Sequence, residues 1–169
     1  MKYTESKKKF IDAWGTLGSS WGISRTMAQI HALLLICPGS MTTDDIIDEL
    51  KISRGNVSMS LKSLIEWGIV FKEYIPGDRK EHFYTDKDIW QLASQVARER
   101  KRRELDPVIK MLEQIQNVND KSAAKKDVDQ FNSVSGDLLH FAKASDNVLN
   151  KFVNSNSNWF FKKFMKMIG

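Results

Sequence analysis

Apolar positions recur along this chain with a helical period almost from end to end, and the places where that period fails divide it into segments. Residues 5–22 set Phe10, Trp14, Leu17 and Trp21 at spacings of four, three and four, which predicts an amphipathic helix. Gly15, Gly18 and Gly22 thin the surface of that helix, so another element can approach closely. After a break at Gly22 and Ser24, Arg25–Ile36 is apolar on nearly every side, with Met27, Ile30, Leu33 and Leu34 as its main stripe. Such a helix belongs at the centre of a fold, and CPGS ends it.

Thr43–Leu50 turns Ile46, Ile47 and Leu50 inward and Asp44, Asp45, Asp48 and Glu49 outward; Asp44 and Asp45 fall in the first turn, where the helix dipole favours them. A few residues later Ser53 is a good N-cap, and Ile52 with Val57 can form a hydrophobic staple. From there Val57, Leu61 and Leu64 make one buried stripe, and Gly68 stops the helix. The opposite side carries Gly55, Met59, Lys62 and Glu66, flanked by Asn56, Ser58 and Ser63. IVFKEYI, the turn PGDR and KEHFY then change the period from helix to strand and predict a hairpin with Arg79 and Lys80 at or near its tip. Short helix, turn, helix and basic hairpin together describe a winged helix-turn-helix.

The remainder is helical. Thr85 and Asp86 are placed to cap a helix starting near Lys87, with Ile89, Leu92, Ala93, Val96 and Ala97 as its early stripe. The run Arg98-Glu99-Arg100-Lys101-Arg102-Arg103 follows, and it either meets a DNA backbone or an acidic partner or forms a solvated face. Pro107 must kink or restart the helix, after which Met111, Leu112, Ile115 and Val118 continue the pattern. Beyond the polar NDKSAAKKD, a last long helix sets Val128, Phe131, Val134, Leu138, Phe141, Ser145, Val148 and Phe152 at spacings of three and four. That narrow stripe suits a coiled-coil-like seam and requires a partner; a second copy of the chain is the economical one, because helix-turn-helix proteins commonly read paired half-sites as symmetric dimers. The terminal NSNSNWFFKKFMKMIG reads as a polar linker and a short helix that docks on the partner subunit, although by itself it resembles an interfacial anchor.

The expected fold is thus mainly α with a small β-hairpin wing. Its parts are an N-terminal packing and dimerisation helix at 1–22, a winged helix-turn-helix at 23–86 and a helical dimerisation region at 87–169.

Charge sharpens the picture. The 169 residues carry 26 Lys and Arg against 21 Asp and Glu. Residues 1–50 contribute −1, residues 51–103 contribute +5 and the rest +1, so the excess sits on the proposed reading head and the helix after it. This is the footprint of a polyanion-binding surface. The outward face of the second helix of the motif, with Ser53, Arg54, Gly55, Asn56, Ser58, Met59 and Lys62, is small and hydrogen-bonding with a cation, as a major groove accepts. Gly55 lets the backbone approach a phosphate, and Arg79 and Lys80 on the wing are in reach of a phosphate or a narrow minor groove.

Other chemistry finds little support. There is one cysteine, Cys37, so neither an intrachain disulfide nor a zinc spacing is available. No catalytic constellation, phosphate loop, metal cluster or cofactor motif appears, and His31, His82 and His140 are scattered. No signal peptide or membrane span is visible, and a reducing cytoplasm fits best. A winged-helix module that binds protein rather than nucleic acid is the alternative, and the concentration of positive charge argues against it.

The strings ISRGNVSMSLKSLIEWGIV, GDRKEHFYTDKDIW and RERKRRELDPVI, with IHALLLICP ahead of them, resemble the GbsR-type branch of the MarR-like bacterial transcription regulators over residues 10–118. The resemblance implies a homodimeric regulator on a pseudo-palindromic operator, with Ser53, Arg54, Asn56, Ser58 and Lys62 on the recognition helix and Arg79 on the wing as the DNA-contacting positions. Where a Gly-Arg-Ile sequence is expected, this chain has Ala28, Gln29 and Ile30. Some members of the branch respond to choline or related compounds. A quaternary ammonium needs an aromatic cage, for which Trp14, Trp21, Trp67 and Trp90 are available, the competing reading being that they fill the core and the dimer seam.

Overall fold

The computed structural model describes residues 1–154, so the docking helix expected in the terminal NSNSNWFFKKFMKMIG lies, beyond Asn154, outside the described residues. The chain forms two compact units, Met1–Leu92 and Ala93–Gly169.

The first unit contains α1 (Tyr3–Ser20), α2 (Arg25–Ile36), β1 (Met41–Thr42), α3 (Thr43–Leu50), α4 (Arg54–Glu66), β2 (Phe71–Glu73), β3 (His82–Tyr84) and the start of α5 (Ile89–Arg100). Helix α2 begins at Ser24, whose hydroxyl accepts the Met27 N–H. Ile30, Leu33 and Leu34 are completely buried, and so are Ile46, Val57, Leu64 and Val70 from the surrounding elements. The apolar pattern of α2 is therefore used on all sides: α1 covers one and α4 another.

Of its Phe10–Trp14–Leu17–Trp21 stripe, α1 sets Trp14 against His31 of α2, but the closest contact is made elsewhere. Ile11, Gly15 and Gly18 are the buried residues, while Leu17 is 38% and Trp21 50% exposed. Backbone approach is so close that a Cβ on Gly18 would lie 2.5 Å from Ala28 Cβ, and one on Gly15 2.7 Å from Gln29 Cγ. The departure from Gly-Arg-Ile thus has a local counterpart here: Ala28 fills the space over Gly18, and Gln29 lies over Gly15 and donates to Asp12 Oδ1 at 3.2 Å.

The wing is a three-stranded antiparallel sheet in the order β1-β3-β2, with Met41 opposite Phe83 and Lys72 opposite Phe83 on its other side. Two-residue β1 is an addition to the expected hairpin, since a strand that short shows no alternation. Thr85 is another correction. Instead of capping α5, its hydroxyl is buried and donates to the Ile69 carbonyl at 2.6 Å, and Asp88 caps α5 by accepting from the N–H groups of Trp90 and Gln91.

In the second unit α5 runs into a π-helical turn, Lys101–Leu105, then α6 (Asp106–Ile115) and α7 (Lys125–Asn154). Pro107 stands in the first turn of α6. It has no N–H to donate and its ring would clash with a carbonyl one turn back; the wider turn absorbs this, so the chain stays helical across the proline. Leu112, Leu139 and Ala142 form the core, with Leu105, Ile109 and Ile115 packed on it. Asn132 closes the α6–α7 connection by exchanging two hydrogen bonds with the Val118 backbone, each 2.9 Å.

The residues α7 buries here, Ser135, Leu139 and Ala142, lie one position beyond the expected seam. Phe131, Val134, Leu138, Phe141 and Val148 of that seam remain exposed, Phe141 at 71%. Helix α7 is accordingly apolar on two faces and α6 covers one.

His31, within α2, is buried against the Trp14 ring and 3.5 Å from the Thr85 hydroxyl. Burial, then the nearby Lys87 charge, pulls its pKa down to about 4, so it stays neutral in the folded state. The unfolded chain takes up this proton below its ordinary value of 6.5 and the folded chain does not. Stability should consequently fall as pH drops from 6.5 towards 4, by about 3 kcal/mol in all. Denaturant titrations across that range should show this slope in the native chain and a flatter one in His31→Leu.

Candidate nucleic-acid interface

The turn between α3 and α4 is three residues, Lys51-Ile52-Ser53, and Lys51 adopts the left-handed conformation (φ 56°) that ends α3. At the start of α3, Thr42 and Asp45 form a capping box in which each side chain accepts the other's backbone N–H. Ser53 caps α4 by accepting from the Asn56 N–H at 3.3 Å. With Val57, Leu61 and Leu64 buried, the rest of α4 must face outward. Arg54, Gly55, Asn56, Ser58, Met59 and Lys62 are all exposed, Met59 at 67%.

Gly55 has open space where a Cβ would stand, so the fold does not need a glycine there. Beside it Lys62 and Ser58 line a groove of about 310 Å³ that continues over Thr43, Lys72 and Glu81, from the recognition helix to the wing.

The wing tip is held by one carboxylate. Ile75-Pro76-Gly77-Asp78 is a turn closed by Asp78 N–H to the Ile75 carbonyl at 3.0 Å, with Gly77 at φ 86°. Asp78 then accepts the Lys80 N–H at 2.9 Å and meets His82 Nε2 at 2.9 Å. These hydrogen bonds, the Lys80 N–H foremost, hold the Asp78 carboxyl below its ordinary range. Arg79 lies inside this loop, between two residues whose backbones are fixed.

The cations of this surface fall into two groups. Arg54 and Lys80 both pair with Asp44 of α3, at 2.5 and 3.1 Å, and Lys72 pairs with Glu81 across the wing at 2.6 Å. Lys62 and Arg79 have no carboxylate partner among the described residues. The basic run after the wing is engaged within its own unit. Arg102 and Arg103 meet Glu99, whose side chain is 7% exposed, at 2.6 and 2.5 Å; Lys101 meets Asp106 and Asp146, each at 2.8 Å; and Arg100 meets Glu104 at 3.2 Å. The hydrogen bond from Arg102, ahead of that from Arg103, holds the Glu99 pKa down to about 2. Sequence inspection missed this local neutralisation, although Glu99 at i−3 and i−4 from two arginines was its signal.

The four candidate tryptophans sit on different elements. Trp14 stacks on Phe10 at 5.4 Å between ring centroids, Trp21 is half exposed after α1, Trp67 is buried at the end of α4, and Trp90 is partly buried in the first turn of α5. Neither the groove beside Lys62 nor a second open one, between Pro38 and the Phe71–Tyr84 pair, is lined by any of them. Among the described residues no group of three or more His, Cys, Asp or Glu can hold a metal ion, and no helix is long and apolar enough to cross a membrane.

Placing an alanine at Gly55 should leave the fold intact or raise its stability by up to about 1 kcal/mol, because the site is open and alanine is the better helix former. Thermal unfolding of Gly55→Ala measures this, and a clear loss of stability would mean the glycine serves the fold after all.

Comparison with known proteins agrees with this geometry. Residues 21–81 match the model of the MarR family. The HTH-type transcriptional repressor GbsR of Bacillus subtilis (strain 168) is 24% identical over 126 residues, which span 75% of this chain and 69% of that protein. A solved structure described as a transcriptional regulator superposes with a TM-score of 0.68 over 90% of this chain and 99% of its own, at 17% identity, which speaks for the fold. The match to the MarR family is thus carried by residues 21–81, the segment that holds the winged helix-turn-helix.

Proposed function

We propose that this protein is a DNA-binding transcriptional regulator of GbsR type that works as a homodimer on a pseudo-palindromic operator. The observation that carries this reading is the pairing of an outward, hydrogen-bonding recognition-helix face with free cations at Lys62 and Arg79 on a MarR-family domain. Lys62 is the groove-reading cation, flanked by Ser58 and Asn56. Arg79 is the wing cation for a phosphate or an A·T-rich minor groove. Ser53 contributes by setting the start of the helix, and Gly55 by leaving its N-terminal N–H groups open to a phosphate.

The exposed seam of α7 supports the dimer. Five large apolar side chains at seam spacing, left uncovered by α6, are the sort of patch that marks an association surface. A single cysteine and no long apolar helix among the described residues fit a cytoplasmic setting.

Selection from a random pool of duplexes should recover an inverted repeat. On that duplex Lys62→Ala should cost about 1–3 kcal/mol of binding, and Arg79→Ala should reduce the slope of log affinity against log salt by about one. Unchanged binding in both variants would refute the assignment. Charging the seam with Leu138→Glu and Phe141→Glu together should yield a helical monomer by sedimentation, with operator affinity reduced about 100-fold through lost bivalency.

A further inference from the structure

Resting on the DNA-binding function proposed above, we propose that Asp44 is a specificity-determining residue of the reading head. It competes with phosphate for Arg54 and Lys80 and so suppresses binding to DNA that lacks the proper base sequence.

The geometry is a three-element bridge. Asp44 lies in the first turn of α3; its Oδ1 meets Arg54, the first residue of α4, and its Oδ2 meets Lys80 on the wing loop. One carboxylate thus ties the start of the recognition helix, ten residues further along the sequence, to the wing, thirty-six residues further along. All three side chains are substantially exposed, so the bridge adds little to stability. Both cations hold the Asp44 carboxyl below its ordinary range, Arg54 most strongly, so it is charged wherever the protein is folded at ordinary pH.

A weakly stabilising pair has a large effect on availability. Any phosphate that binds Arg54 or Lys80 must displace a carboxylate already in place, and that carboxylate then repels the phosphate from a few ångströms away. Contact with an arbitrary backbone rewards this exchange poorly, since phosphate attraction is its main source of affinity. A duplex that also satisfies Lys62 and the outward polar face of α4 gains base contacts that Asp44 does not oppose. The carboxylate therefore penalises binding through backbone alone more than binding through bases.

The test compares wild type, Asp44→Asn and Asp44→Asn combined with Lys80→Gln on the selected duplex and on an unrelated duplex of equal length, over a range of salt. Asp44→Asn should bind the unrelated duplex about tenfold more tightly at low salt, with its salt slope steepened by about 0.9 for each cation released. Its affinity for the selected duplex should rise less, so discrimination falls, and Lys80→Gln should remove part of the gain. Equal gains on both duplexes, no change, or a loss on both would overturn the proposal; a loss on both would make Asp44 a positioning residue for Arg54 and Lys80. A wild-type protein that binds neither duplex would instead overturn the DNA-binding function, so the two failures are distinguishable.

Discussion

Burial of α2 on all sides is the constraint on which the reading head depends. A helix with Ile30, Leu33 and Leu34 inaccessible to water needs neighbours around its circumference, and α1 and α4 provide them. Each neighbour is thereby fixed in rotation. Once Val57 and Leu64 are committed inward, a period of 3.6 residues leaves Gly55, Ser58, Met59 and Lys62 outside. The close seat of α1 has the same origin, since Gly15 and Gly18 let its backbone reach Gln29 and Ala28 where any larger residue would hold it away.

Pairing decides what the outward charges can do. By count the segment after the turn is strongly basic, yet its cations are far from equivalent. Glu99 holds two arginines of the basic run, Lys101 is divided between two aspartates, and Asp44 holds one cation from the recognition helix and one from the wing. The exposed pairs at Asp44 contribute at most about 1 kcal/mol each to folding. They also separate the cations already paired with carboxylates from Lys62 and Arg79, which have none among the described residues.

Helix α7 carries the second organising pattern. Thirty residues with apolar positions on two faces cannot be satisfied by a ten-residue α6. Ser135, Leu139 and Ala142 are small or slim enough for a close helix–helix contact, and the larger Phe131, Leu138 and Phe141 point elsewhere. The packing inside one chain leaves that surface uncovered.

Periodicity by itself determined the placement of α2, α3 and α4, the cap at Ser53 and the inward stripe of α4, because each is a local pattern with a local physical cause. The same holds for the tight turn before Arg79, where proline and glycine dictate the backbone. Tertiary structure decided what local pattern cannot carry. The closest contact of α1 was set by Gly15 and Gly18 against Gln29 and Ala28, which the aromatic spacing does not reveal. β1 arose from pairing with β3, since two residues have no pattern of their own. Thr85 was drawn from a capping role to the Ile69 carbonyl because a buried acceptor must find a donor. The partners of Arg54 and Lys80 lie ten and thirty-six residues away in sequence, and charge neutralisation at that range exists only once the chain has folded.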